Sequence, residues 1–316
     1  MNSVDTSIPM NGREKSQVRA ARRAAQWKKW SWPYFFLAPA LILYAVFFIF
    51  PFFFSGFLSF SQWNLISPEM EYVGMENYRS LVADDVFWTS LKNTGIYALG
   101  TVPVTMAIGL ALAILVESVG RNRVKEAYRF LLFIPVVASL AVTSMVWMLL
   151  MNPNGGLLNE FLVLFGLPSF NWLNDPKMAM WSLILVGIWK GAGYNMVLYI
   201  AGLKGIDRQL YEASAIDGAG KWIQFRSITW PLLAPMNLFV LIVSLIQSFQ
   251  VFTTIHVMTH GGPNNATNVL VYQVWMEAFQ FFDIGKASAL SMVLFFLVLA
   301  ITMFQIRMMD TKIHYQ

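Results

Sequence analysis

The chain has 316 residues, of which 57% are hydrophobic and 12% are charged. Soluble domains carry roughly 25% charged residues, so this chain cannot cover a water-exposed surface, and its expected solvent is lipid. The absence of cysteine excludes disulfides, cysteine nucleophiles and cysteine-ligated metals. The net charge of +5 does not call for a nucleic-acid partner, because basic residues in membrane proteins set topology.

The chain begins with polar and basic residues rather than with a cleavable signal peptide. A signal peptide has a short basic start, a short apolar core and a small-residue cleavage site. Here about thirty polar residues precede a long apolar run. Residues 1–31 are therefore predicted to form a basic cytoplasmic tail, followed by one transmembrane domain over 32–309 and a short cytoplasmic tail over 310–316.

Six apolar runs follow, each long enough to cross a bilayer, which takes roughly 20 helical residues. Charged side chains delimit them, and only Lys190 lies inside one. The predicted spans lie near residues 33–60, 93–116, 130–151, 178–203, 232–257 and 287–306. The pattern predicts an all-α membrane protein with six transmembrane helices.

The distribution of lysine and arginine predicts the orientation of these spans. Of the 22 such residues, seventeen fall in the two tails and in the loops after the second and fourth spans, and four fall on the opposite side. Basic residues accumulate on the cytoplasmic side of membrane proteins. Both termini are therefore predicted to be cytoplasmic.

A polar stretch interrupts the apolar pattern between the fourth and fifth spans. Asp207 is predicted to cap a short helix over Arg208–Ile216, because its carboxylate can accept from free backbone N–H groups. Gly218 would allow a sharp bend. A second short helix is predicted over Lys221–Ile228, and Pro231 is expected to prevent it from continuing. An interfacial helix or an ordinary loop would show the same composition.

This stretch resembles the coupling motif of binding-protein-dependent ABC importers, in which Glu-Ala-Ala is followed at fixed spacing by Gly, Ile and Leu-Pro. Glu212, Gly218 and Ile228 match it in spacing, whereas Ser214 and Trp230 replace an alanine and a leucine. The resemblance implies that the stretch docks in a groove of a partner ATPase. The implied coupling surface comprises Glu212, Ala213, Asp217, Gly218 and Ala219.

Other segments extend the resemblance over residues 32–309. They read SFSQWN, YVGMENYRSL, YRFLLFIPVVAS, GIWKGAGYNMVLYIAGLKGI and GGPNNATNVLVYQVWMEAFQFFDIGKASALS. In this order they resemble permease subunits of carbohydrate ABC importers, of the maltose, lactose and glycerol-3-phosphate type. The resemblance implies a type I ABC importer permease fold in the bacterial inner membrane.

The same resemblance implies partners. A second permease subunit, expected to be a different chain, would complete the channel, although a homodimer stays open. Two ATP-binding subunits would hold the ATP and magnesium, and an extracytoplasmic solute-binding protein would deliver a sugar or related polyol. Glycerol-3-phosphate or another non-sugar solute remains an alternative. This chain has no Walker A sequence, so it is expected to be no enzyme and to bind no cofactor itself.

Two spans offer candidate solute contacts. A charge inside a span is costly, so Lys190 is predicted either to face a water-filled cavity and hydrogen-bond the solute, or to reach the outer interface or pair with a neighbour as an anchor. Gly187 and Gly191 have the spacing of close helix packing. In the fifth span, polar residues recur on one helix face, which favours a cavity or a partner helix over lipid. The predicted path comprises Lys190, Gly191, Asn195, Ser244, Gln247, Ser248 and Val251.

Two other protein classes compete with this interpretation. A membrane enzyme would need a catalytic set within the bilayer, and neither Gly-x-Ser-x-Gly, nor His-Glu-x-x-His, nor paired intramembrane carboxylates occur. A secondary transporter would need internal repeats and ionisable residues at mid-membrane, and apart from Lys190 the sequence lacks them. His256 and His260 have helical spacing, but Gly261 ends the helix and no acidic partner is near. No metal site is therefore predicted.

Overall fold

The computed structural model describes residue 34, residues 36–64 and residues 69–310. The predicted tail over residues 1–31, His314 and the rest of the C-terminal tail beyond residue 310 lie outside the described residues. The chain divides into two units after Phe57. Five of the described helical spans are long and apolar enough to cross a membrane, or six when one bent pair of helices is included.

The first unit contains helix α1, Phe36–Leu58, whose most apolar stretch has a mean hydropathy of 2.3. It includes a π-helical turn at Ala45–Ile49, which ends just before Phe50 and Pro51. Proline lacks an N–H and crowds the carbonyl of the preceding turn, and a wider π-turn relieves that clash. The helix therefore continues through Pro51.

The second unit opens with a small hairpin and a short helix. Strands β1, Ser61–Gln62, and β2, Glu71–Tyr72, pair antiparallel, and helix α2 spans Glu76–Ala83. The Asn77 side chain donates to the carbonyls of Ser59 and Ser61, each at 3.0 Å, so α2 is tied to β1.

Two long helices, α3 (Asp85–Ser118) and α7 (Ala179–Lys204), form the centre of this unit. Glycines allow their backbones to approach. A Cβ on Gly109 of α3 would lie 2.6 Å from the Cβ of Asn195, and one on Gly187 of α7 would lie 2.5 Å from the Tyr97 hydroxyl. The close helix packing predicted from the glycine spacing is confirmed.

The third predicted span, 130–151, is not one straight helix. Helix α4, Asn122–Val137, ends at Ala138 and Ser139, which are extended, and α5, Leu140–Leu150, leaves at 94°. Pro135 lies in the last turn of α4, where its missing N–H weakens the helix.

The fifth predicted span, 232–257, is also interrupted. Helix α10, Ala234–Phe249, ends at Gln250, and α11, Thr253–Met258, begins after Phe252. No proline or glycine lies at this break, so the local sequence does not mark it. Helix α5 packs on α11, whereas α4 and α10 both pack on α7. The two breaks thus divide both spans into segments with different neighbours.

Two further predicted boundaries also shift. Helix α3 begins at Asp85, well before predicted residue 93, because the Asp84 carboxylate caps it by accepting from Val86 N at 2.9 Å. The predicted helix Lys221–Ile228 does not end at Pro231. Helix α9 runs through Lys221–Gln224, a π-helical turn at Phe225–Thr229, and Trp230–Leu232. This π-turn precedes Pro231 as the π-turn in α1 precedes Pro51.

The remaining helices frame the bundle. They are α6 (Leu157–Leu164), α8 (Arg208–Ile216), α12 (Leu270–Trp275, continued by a π-helical turn at Met276–Gln280) and α13 (Ile284–Asp310). The last helix is longer at both ends than the predicted span 287–306. Separate buried clusters centre on Leu183 near the helix breaks, Met196 near the loop to α8, and Leu290 beside α2 and α12.

Candidate functional site

A cavity of about 430 Å³ opens between α3, α7, α10 and the two helix breaks. Val136 and Leu140 contribute from the α4–α5 break, and Gln250 to Thr254 contribute from the α10–α11 break. Pockets of roughly 300–1,000 Å³ suit small organic ligands. The interruptions that the sequence did not predict therefore form part of the cavity wall.

All the residues predicted for the solute path lie on the wall of this cavity. Helix α7 contributes one set and α10 with its C-terminal break contributes the other, so the two predicted faces meet. The residues are Lys190, Gly191, Asn195, Ser244, Gln247, Ser248 and Val251. Whether they contact a solute remains a prediction.

The Lys190 side chain is half-buried and reaches the break between α4 and α5. Its Nζ donates to the carbonyl oxygens of Pro135 at 3.2 Å and Ala138 at 3.0 Å. These carbonyls lie near the C-terminal end of α4, where helices leave carbonyls without intrahelical partners. Lys190 therefore pairs with a neighbouring helix end and also lines the cavity. Its hydrogen bond to a solute stays a prediction.

Two of the predicted path residues are hydrogen-bonded to each other. The amide of Asn195 and the hydroxyl of Ser244 exchange hydrogen bonds at 3.2 Å. Both side chains are buried. The Ser248 hydroxyl donates to Leu245 O within its own helix. Gln247 and Gln250 also line the wall from the same helix and its end.

Helix α3 also contributes side chains to the cavity wall, and these were not predicted from the sequence. Tyr97, Thr101 and Thr105 line the cavity, and the two threonine hydroxyls donate to carbonyls one turn earlier in the helix. These residues recur every four positions, so they share one helix face. That spacing is visible in the sequence and could have identified them.

The predicted coupling stretch forms a separate feature, at the far end of α7. Asp207 Oδ1 accepts from Gln209 N at 2.9 Å, which confirms the predicted cap of α8. Gly218 has a φ of +80°, a left-handed conformation that favours glycine. The Ala219 N–H donates to Ser214 O at 2.9 Å and closes the bend. The predicted bend at Gly218 is confirmed.

The side chains of the predicted coupling residues are exposed or half-exposed. Glu212, Ala213, Asp217 and Gly218 are exposed, and Ala219 is half-exposed. The Glu212 carboxylate pairs with Arg208 at 3.2 Å, but both side chains remain mostly exposed. Ile216 is 87% exposed beside them.

Hydrogen bonds join α8 and α9 into one body. The hydroxyls of Tyr211 and Thr229 lie 2.9 Å apart, and the Gln224 amide donates to Tyr211 O at 3.2 Å and to Ser214 Oγ at 3.0 Å. Ser214, one of the two departures from the importer motif, therefore has a specific partner here. Displacing α8 would displace α9 and the start of α10.

The two histidines belong to an aromatic cluster beside the α10–α11 break. The His256 ring lies 5.2 Å from that of Phe252 and 4.7 Å from that of Trp275, and the His256 and His260 rings are 5.4 Å apart. Over the described part of the chain, no three His, Cys, Asp or Glu side chains are grouped as metal ligands.

Comparison with known proteins agrees with this architecture. Residues 101–313 match the family described as binding-protein-dependent transport system inner membrane component. A probable ABC transporter permease protein, YurN, of Bacillus subtilis is 36% identical over 88% of this chain and 96% of its own length. The sn-glycerol-3-phosphate transport system permease protein UgpA of Pectobacterium atrosepticum is 35% identical over 90% of this chain and 97% of its own.

A solved structure has the same fold. A chain of a bacterial ABC transporter involved in the import of the acidic polysaccharide alginate superimposes with a TM-score of 0.81 at 22% identity, covering 92% of this chain and 99% of that one. These matches exclude the membrane-enzyme and secondary-transporter alternatives. The chain belongs to the binding-protein-dependent transport system inner membrane components, and it is a membrane permease of an ABC importer.

Proposed function

We propose that this chain is one half of the membrane channel of an ATP-driven importer for a sugar or related polyol. A second, related permease chain completes the cavity. Two ATP-binding subunits hold ATP and magnesium, and an extracytoplasmic binding protein delivers the solute. Both termini of this chain are cytoplasmic, which places α8 on the ATPase side.

The observation that carries the proposal is the position of α7 between the two candidate features. Lys190 and Asn195 lie in the cavity wall on α7, and the helix ends at Lys204 just before α8. Hydrogen bonds join α8 to α9, and the backbone continues directly from α9 into α10. A movement of α8 therefore reaches both walls of the cavity. An ATPase that carries α8 can therefore open or close the solute path.

The relatives support a carbohydrate or polyol solute. One matched structure is described as an alginate transporter in complex with alginate pentasaccharide-bound periplasmic protein, and the relative UgpA is named for sn-glycerol-3-phosphate. The cavity fits such solutes, because the amide groups of Gln247 and Gln250 in its wall can bind sugar hydroxyls. Glycerol-3-phosphate itself remains the alternative, favoured by the cationic Lys190 in the wall.

The test is assembly and coupling in a complex reconstituted with the neighbouring permease, ATPase and binding-protein subunits. Glu212→Lys should reduce co-purification of the ATPase and ATP-driven solute uptake about tenfold, the loss that ~1.4 kcal/mol of docking free energy would cause. The matched control is Glu76→Lys on α2, because Glu76 is also an exposed glutamate paired with an arginine, Arg79 at 3.9 Å. Equal uptake and assembly in both variants would contradict the coupling role.

A further inference from the structure

We propose that Lys190 selects solutes that carry an anionic group, a carboxylate or a phosphate, on a hydroxylated body. This inference rests on the proposed function, since it assigns a chemical class to the solute of the same cavity. It makes Lys190 a specificity-determining residue as well as an anchor for the end of α4.

The hydrogen bonds of Lys190 leave part of its ammonium group available. An ammonium group has three donors. Two of them are used by the carbonyls of Pro135 and Ala138. The third donor and the full positive charge remain beside the cavity that Lys190 lines. A backbone carbonyl stabilises a cation but does not neutralise it.

The part of the cavity wall that this chain forms offers Lys190 no counter-charge. Among the described residues that line the cavity, Lys190 is the only charged one, and none is an aspartate or a glutamate. The two other half-buried lysines in the described part of the chain both have carboxylates. Lys125 lies 3.1 Å from Glu117, and Lys286 lies 2.9 Å from both Asp84 and Glu277. Lys190 thus differs from them by lacking an acidic partner.

A purely structural anchor does not require this charge. Neutral amide donors can satisfy helix-end carbonyls, and a charge within a span is costly. An anionic group arriving from the binding protein would supply the missing counter-charge. The wall opposite, with Gln247 and Gln250, can then bind the hydroxyl groups of the same solute.

The test measures the charge preference of the cavity directly, without knowledge of the solute. The chain has no cysteine, so Tyr194→Cys places one thiol in the wall, one helical turn from Lys190 and on the same face. The thiol is labelled in the assembled complex after any reactive cysteines of the other subunits have been replaced by serine. The probes are anionic 2-sulfonatoethyl methanethiosulfonate and cationic 2-trimethylammonioethyl methanethiosulfonate.

We expect the ratio of anionic to cationic labelling rates to be higher at Tyr194→Cys than at Ser169→Cys, an exposed position outside the cavity with no charged residue within five positions. Adding Lys190→Gln should lower the ratio at position 194 about tenfold, because one unit charge acts oppositely on the two reagents at roughly 6 Å. Lys190→Arg should preserve it. A ratio unaffected by Lys190→Gln would overturn the proposal.

Two features keep the result interpretable. The comparison of positions 194 and 169 retains Lys190, so equal ratios there overturn the proposal even if Lys190→Gln fails to assemble. Labelling requires neither ATP nor uptake. The assembly test with Glu212→Lys and Glu76→Lys bears on the proposed function alone, whereas an absent charge preference in an assembled complex refutes the role of Lys190 alone.

Discussion

Asn195 on α7 and Ser244 on α10 form reciprocal hydrogen bonds in the wall of the cavity. Nδ2 of Asn195 donates to the Ser244 hydroxyl, which donates in turn to Oδ1, both at 3.2 Å. The polar pattern of the fifth span predicted a cavity-facing or helix-facing role for Ser244. The hydrogen bonds indicate that this pair joins the two helices, so Gln247, Gln250 and Lys190 are more available to a solute.

Removing either side chain of this pair should lower the free energy of unfolding, and part of that loss should depend on the presence of the other side chain. We expect Asn195→Ala and Ser244→Ala each to lower the free energy of unfolding, with a coupling of about 1 kcal/mol between them. The measurement is a double-mutant cycle in SDS titrations. Ser248→Ala is the control, because its hydroxyl donates within its own helix. Strictly additive losses would show that the pair contributes nothing.

The bend after α8 should depend on the backbone conformation of Gly218. Its φ of +80° costs a residue with a side chain about 1–2 kcal/mol. A Cβ at Gly218 or at Gly220 would meet nothing within 4 Å, but the φ of Gly220 is −70°. Gly218→Ala should therefore reduce coupled ATP hydrolysis and uptake, and Gly220→Ala should not. Similar uptake in the two variants would rule out the bend as a requirement.

The contact between α3 and α7 should not tolerate a methyl group at Gly109. A Cβ there would lie 2.6 Å from Asn195 Cβ and 3.1 Å from the Met196 backbone N. We expect Gly109→Ala to destabilise the protein by about 1–3 kcal/mol through overpacking. Gly95→Ala on the same helix meets nothing within 4 Å and should be neutral or stabilising. Thermal unfolding of the two purified variants separates these outcomes, and equal melting temperatures would contradict the close contact.

The ion cluster around Lys286 should make stability depend on pH. Burial raises the pKa of Asp84, but hydrogen bonds from the Lys286 side chain and the Val86 backbone outweigh burial, so its pKa lies below the ordinary value. A carboxylate with a lowered folded pKa contributes stability above its unfolded pKa, about 3.9, and loses it as the pH falls through the folded value.

Asp84→Asn should consequently lower the melting temperature at neutral pH by a few degrees and flatten its fall at acid pH. Melting curves of wild type and variant between neutral and strongly acid pH provide the measurement. Asp175→Asn is a suitable control, since its carboxylate accepts from the Lys177 backbone and forms no ion pair within the described residues. Parallel curves for wild type and Asp84→Asn would exclude a role for this carboxylate.

The amino-acid sequence alone determined the features that depend on local chemistry. Apolar runs of sufficient length indicated where helices cross the membrane, and the family was recognisable from a short polar motif. The cap at Asp207, the helix Arg208–Ile216 and the bend at Gly218 follow from side chains within a few residues of each other, and the structure confirms all three. The polar faces of α7 and α10 were visible as helical spacing.

The tertiary structure decided what these faces meet. The two carbonyl partners of Lys190 and the bond between Asn195 and Ser244 join residues far apart in the chain. The breaks at Ala138 and Gln250 turn these residues toward one cavity. A proline marks one break, but nothing local marks the other. Sequence periodicity identifies the face of a helix that turns away from lipid, whereas only the packing of helices determines whether that face meets a partner side chain or an open cavity.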